Sequence, residues 1–151
     1  MALNGVIIVA RATGDCGKTT SIRSVWTFLK RTGASVIREE LFDNQGPNKP
    51  GDVQAVLEYR GVKIGISSMG DPGTDQRKIL DEFAKDGCRI IICACRTWGY
   101  TKDPIDALKN TWEIRYLGTA DYGFISADTI WKEILLAIRV VNFAYPAVSQ
   151  G

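Results

Sequence analysis

Val6-Ile7-Ile8-Val9-Ala10-Arg11-Ala12-Thr13-Gly14-Asp15-Cys16-Gly17-Lys18-Thr19 is the stretch on which the reading of this chain turns. Its first five residues form a continuous apolar run, the pattern of a strand buried on both faces. Beyond it, residues 21–31 carry Ile22, Val25, Trp26 and Leu29 at helical spacing. Between the two lies an eight-position frame, 12–19, that ends in Gly-Lys-Thr. A turn of this composition can curl so that several backbone N–H groups face one anion. A helix that begins at the end of the turn adds its own unpaired N–H groups and the positive end of its dipole.

Strand, glycine-containing turn, Gly-Lys-Thr and helix together resemble the phosphate-binding loop of the P-loop NTPases. That motif usually opens on Gly; here Ala12 holds the place. The resemblance implies a nucleoside triphosphate, ATP or GTP, bound with Mg²⁺ around Thr13, Gly14, Asp15, Cys16, Gly17, Lys18, Thr19 and Thr20. Lys18 is expected to reach the outer phosphates, and Thr19 to give its hydroxyl to the metal. The fold it implies is a three-layer P-loop NTPase fold of α/β class.

Working outward, the 151 residues suggest one domain over 1–151, long enough to bury a real core. The hydrophobic and charged fractions, 45% and 24%, are those of an ordinary soluble globular protein. A net charge of +2 is too small to argue for nucleic acid or a membrane as partner. The absence of His removes the usual general base and any His-centred triad or zinc site. Cys16, Cys88, Cys93 and Cys95 have no metal-site spacing; Cys93 and Cys95, two apart in a strand, read as a pair of buried thiols suited to a reducing cytoplasm. No signal peptide is expected, because a strand-like run begins almost at once. The apolar stretch 134–141 is too short to span a bilayer.

Residues 35–42 read as a second strand, and 43–52 as a breaker-rich loop, either a lid or a plain connector. Residues 53–59 and 62–67 flank Arg60-Gly61, a hairpin pattern that adds one antiparallel strand. The second of these strands alternates Val62, Ile64 and Ile66 with Lys63, Gly65 and Ser67, so one face should be buried and the other open or close to another backbone. Thr74 can cap a helix carrying Ile79, Leu80 and Phe83. Residues 89–95 form a strongly apolar strand. A short helix follows Asp103-Pro104, then a strand over 112–117 and a last helix over 127–145. Strands alternating with helices imply a mostly parallel sheet with helices on both faces, and a ligand at the carboxyl ends of its strands.

Asp71 is the acid best placed to hold Mg²⁺ or its water shell, since it follows an apolar strand; an Asp-Pro-Gly turn is the structural alternative. Ser67 and Ser68 would either orient metal waters or satisfy loop backbone. Arg96 is preferred over Arg11 and Lys102 for neutralising a transferring phosphoryl group. Trp98 and Tyr100 would stack on a base or anchor their loop. Asp71-Pro72-Gly73 looks like the approach to the switch of small GTPases, but Thr74 stands where that motif has Gly. Residues 117–121 have only a faint likeness to their guanine-reading motif. The size and the loop around Arg96 look similar to small nucleotide kinases. The expected activity is hydrolysis of the γ-phosphate or its transfer to a small-molecule acceptor, with Lys18, Asp71 and Arg96 as the catalytic set. A non-hydrolysing regulatory module and a GTPase-like switch are the alternatives. Apolar residues around the last helix leave room for a homo-oligomer.

Overall fold

The computed structural model describes residues 3–11, 18–42, 51–69, 75–95, 103–117 and 126–143. The leading apolar run forms β1 (Val6–Arg11), whose first four residues have no exposed surface. α1 (Lys18–Arg31) and β2 (Ser35–Phe42) follow, then β3 (Asp52–Tyr59), β4 (Val62–Ser67), α2 (Gln76–Lys85) and β5 (Ile90–Cys95). α3 (Asp103–Asp106), β6 (Glu113–Leu117) and α4 (Ala127–Phe143) complete the order.

All six strands join one sheet, in the order β2-β3-β4-β5-β1-β6. β4, β5, β1 and β6 are parallel neighbours, whereas β3 runs against both β2 and β4. One strand therefore opposes the other five, as the hairpin pattern implied. Arg60 and Gly61 join β3 to β4 with φ of 52° and 78°. Two left-handed residues make a turn whose twist matches that of the strands it joins.

Alternation along β1 divides the core. Val6, Ile8 and Ala10 pack with Ile22, Val25 and Leu29 of α1 and with Ile130, Ile134, Ile138 and Val141 of α4. Ile7 and Val9 pack with Ile79, Leu80 and Phe83 of α2 and Ile105 of α3. The helices thus cover both faces. Period-2 strands and period-3.6 helices meet here as their patterns require.

α1 begins at Lys18, at the end of the frame 12–19. Two local expectations need correction. The cap of α2 is Asp75, whose side chain accepts a hydrogen bond from the Lys78 N–H at 3.2 Å; Thr74 lies outside the described residues. The second face of β4 is not open: a Cβ on Gly65 would stand 2.6 Å from the Phe83 ring. A side chain of α2 fills that place, so glycine is required for contact with a helix rather than with another backbone.

β6 is one edge strand of the sheet, and β2 is the other. Val36, Ile37 and Leu41 on it are each about half exposed. Its register against β3 shifts between Val36 and Arg38, an edge-strand bulge. Arg38 ties this strand to α2 through Asp86, and Lys30 of α1 pairs with Glu39 at 3.0 Å while lying 3.9 Å from the Trp26 ring. Among the described residues, no helix is long and apolar enough to cross a membrane.

Candidate functional site

The carboxyl ends of β1, β4, β5 and β6 lie on one edge of the sheet, because these strands are parallel neighbours. Arg11 is in register with Cys95, and Ala10 with Leu117. After Arg11 the chain enters α1, on the face of Val6 and Ile8; after Cys95 it enters α3, on the face of Ile7 and Val9. Two adjacent strands whose connections leave to opposite faces form a topological switch point, where open α/β sheets bind ligands.

α1 opens on Lys18 and Thr19, next to this crevice, with Thr20 exposed in its first turn. That turn has no acidic residue, and Lys30 and Arg31 lie in the last turn. The first turn itself thus sets no carboxylate at the amino-terminal positive pole, and the last turn complements the negative pole at the other end. Arg23, one turn further along, donates from Nη1 to the Gly51 carbonyl at 2.8 Å, fixing α1 to the start of β3. Residues 13–17, Asp71 and Arg96, with Lys102, Trp98, Tyr100 and the loop 43–50, lie outside the described residues.

β5 stands between β1 and β4, so the strand leading to Asp71 is two positions from β1, about 10 Å at the usual strand spacing. The pairing of β4 with β5 ends at Ile66 and Ile92, whereas β4 stays with β3 as far as Ser67. Ser68 follows β3. Its N–H donates to the Val53 carbonyl at 3.0 Å, its Oγ accepts from the Val53 N–H at 2.9 Å, and its hydroxyl donates to Asp52 at 2.8 Å. Ser67 accepts from the Met69 N–H at 3.3 Å. Both hydroxyl oxygens accept from backbone N–H groups, and the Ser68 O–H is given to Asp52, so both are engaged within the protein.

The notch between the diverging ends of β4 and β5 is spanned by Gln76, the first residue of α2, which is 1% exposed. Its Nε2 donates to the Met69 carbonyl at 3.0 Å and to the Ala94 carbonyl at 2.5 Å. Two carbonyl partners fix which end of the amide is nitrogen. Oε1 is buried and has no hydrogen-bond partner among the described residues. An unsatisfied buried acceptor costs about 1–3 kcal/mol. Sequence reading passes over this residue, because a Gln in a helix's first turn carries no signal of its own.

On the other side of the crevice, the Arg11 guanidinium lies over the Tyr116 ring, 5.1 Å from its centre. The Tyr116 hydroxyl donates to Asp106 of α3. Burial, and then the bond to Asp106, push the Tyr116 phenol well above its ordinary range. The last residue of β1 is thus braced through β6 to α3. Cys93 and Cys95 are fully buried on the same face, and burial holds the Cys93 thiol neutral by raising its pKa. These thiols behave as small hydrophobes, as expected, not as a reactive pair. Comparison with known protein families, curated proteins and solved structures returns no match.

Proposed function

We propose that the chain is a P-loop nucleotide-binding protein of three-layer fold, holding a nucleoside triphosphate and Mg²⁺ at the β1–β5 crevice and acting on the γ-phosphate. One observation carries the reading. A strand buried on both faces, at a topological switch point, is joined by residues 12–17 to a helix that starts on Lys18 and has no acid in its first turn. This is the context in which Gly-Lys-Thr binds phosphate. Lys18 meets the outer phosphates, and Thr19 the metal. The roughly 10 Å between β1 and β4 suits a water-mediated hold on Mg²⁺ by Asp71, since that ion keeps several waters. Arg96, one residue past Cys95, is the cation for charge that develops on the transferring group.

The engagement of both buried hydroxyls, Ser67 with the Met69 N–H and Ser68 with the Val53 N–H and Asp52, favours a second reading, a binder that hydrolyses little and reports occupancy. Titration with Mg·ATP and Mg·GTP, followed by single-turnover phosphate release, separates the two. We expect saturable binding that Lys18→Ala weakens at least tenfold, and phosphate release above background. Unchanged affinity in that variant rejects the nucleotide reading. Binding without release leaves the occupancy reporter. Product that forms only with an added acceptor identifies a phosphotransferase.

A further inference from the structure

A cleft of about 440 Å³ lies between α2 and α3, within the ~300–1,000 Å³ of small-molecule sites. Its inner side is apolar. Leu80, 2% exposed, lines it with the half-buried Pro104 and Leu108, and it continues into the core around Ile79, Phe83 and Ile105. Three exposed charged residues line the rest, Arg77 and Asp81 from α2 and Asp103 from α3. None of these three side chains makes an ion pair or hydrogen bond among the described residues. Arg77 and Asp81 are one turn apart, but the base precedes the acid, the less favourable order for a pair along a helix. Charges of both signs thus meet at one cleft without neutralising each other.

We propose that this cleft binds a zwitterion with an apolar body, an α-amino acid whose side chain is aliphatic or aromatic. Charge complementarity selects the class. Asp81 and Asp103 come from opposite walls, so an ammonium group between them faces both. Arg77 takes the carboxylate, which its planar fork matches with two N–H groups. Residues four apart on a helix have Cβ atoms about 5–6 Å apart, so a carboxylate and an ammonium joined through one carbon reach Arg77 and Asp81 together. The apolar side chain of the ligand then lies against Leu80, Pro104 and Leu108, and its burial adds to the hold. A simple amine leaves Arg77 unused, and a simple carboxylic acid brings its charge up to two carboxylates. The walls of the cleft pack on the face of Ile7 and Val9, whereas α1 packs on the face of Val6 and Ile8. The site is therefore separate from the first turn of α1, and the proposal stands whether or not nucleotide binds there.

The test titrates the full chain with four probes, followed by NMR to about 20 mM, a range that captures millimolar binding. L-leucine and L-phenylalanine carry both charges, 3-methylbutylamine only the ammonium, and 4-methylpentanoate only the carboxylate. We expect at least one of the two amino acids to saturate, with the largest methyl shifts at Leu80 and Leu108. The amine and the acid should each bind at least about twofold more weakly than that amino acid. The variants Arg77→Gln, Asp81→Asn and Asp103→Asn change exposed side chains, and their thermal transitions are recorded as controls. Each should weaken the amino acid by about twofold or more, the range of exposed charge pairs. Arg77→Gln should leave the amine within about twofold, because that probe has nothing for the guanidinium to hold. If a variant does not fold, the four probes on the parent chain decide. Failure of both amino acids to saturate overturns the proposal, as do shifts centred away from α2 and α3. An amine that binds as well as the amino acid makes the cleft a cation site, and an equal acid makes it an anion site; either result also overturns it. So does an amino-acid affinity that Arg77→Gln leaves within about twofold.

Discussion

Arg11 and Cys95 stand side by side at the ends of two parallel strands, and from this pair the chain departs to opposite faces of the sheet. The gap opened by that departure is framed by the start of α1 on one side and by the Arg11–Tyr116–Asp106 brace on the other. A ligand held there binds the folded chain alone, so it must stabilise the fold. At a hundred times its dissociation constant, Mg·ATP or Mg·GTP should add about 2.7 kcal/mol. At about 2–4 °C per kcal/mol for a chain of this size, the melting temperature should rise by about 5–11 °C. Lys18→Ala should abolish that rise at the same nucleotide concentration while leaving the ligand-free transition within a degree or two. A shift of equal size in the variant would remove Lys18 from the site.

The two glycines of the hairpin fail in different ways when given a methyl group. A Cβ on Gly65 meets the Phe83 ring at 2.6 Å, in a part of the core with no exposed surface. Gly65→Ala should therefore cost about 1–3 kcal/mol by overpacking. Trimming the ring with Phe83→Leu should recover part of that loss, so the double variant is expected to fall short of the summed losses by more than about 0.5 kcal/mol in urea denaturation. Strict additivity would show that the ring moves aside without strain.

Gly61 has no neighbour within 4 Å of such a Cβ, but its φ is +78°. The cost of Gly61→Ala is conformational, about 1 kcal/mol. Gly61→Asn should cost less, because Asn tolerates the left-handed region. An Asn variant less stable than the Ala variant would reject that account of the turn.

The buried acids of the core set an alkaline limit. Burial, reinforced by the neighbouring Asp86 charge, pushes the Cys88 thiol up to about 12, and burial raises Cys93 and Tyr116 in the same direction. In each case the folded chain holds a proton that the unfolded chain gives up first. The stabilising contribution is whole below the ordinary thiol range, near pH 8.5, and is lost as pH rises from there toward 12 for Cys88. The melting temperature should decline above about pH 8.5–9, and Cys88→Ala should make that decline shallower. Iodoacetamide should label Cys88 at pH 9 far more slowly in the native chain than in urea. Equal labelling in the two states would place this thiol at the surface.

Element types and most boundaries follow from local pattern. Residues 35–42 alternate weakly and are bounded by Gly33 and a run of breakers, and β2 occupies that span. Ile130, Ile134, Ile138 and Val141 recur at helical spacing, and all four are buried under α4. Thr74 and Asp75 are both good caps one residue apart, so composition could not choose between them. Strand order is a different matter. Nothing local in 62–67 and 90–95 says that the second strand comes between the first and β1. That arrangement creates the notch at Ile66 and Ile92, and with it the burial of Gln76. The proposed phosphate-binding motif can be read from the sequence because it packs its residues into eight consecutive positions. The burial of the Gln76 amide depends on carbonyls 7 and 18 positions from it in the chain, so it emerges only on folding.

The placing of β1 has a consequence for synthesis. A ribosome delivers this strand before the other five, yet its two partners, residues 90–95 and 113–117, follow about 80 to 110 positions later. The β3–β4 hairpin, closed by a two-residue turn, can assemble while translation continues. The apolar residues Val6 to Ala10 must meanwhile wait, unpaired and open to the wrong strand, until residue 95 of the first partner clears the exit tunnel. A strand whose first five residues end up buried is thus a vulnerable segment during birth, and a chaperone that grips short apolar runs would find a natural target at Val6 to Ala10.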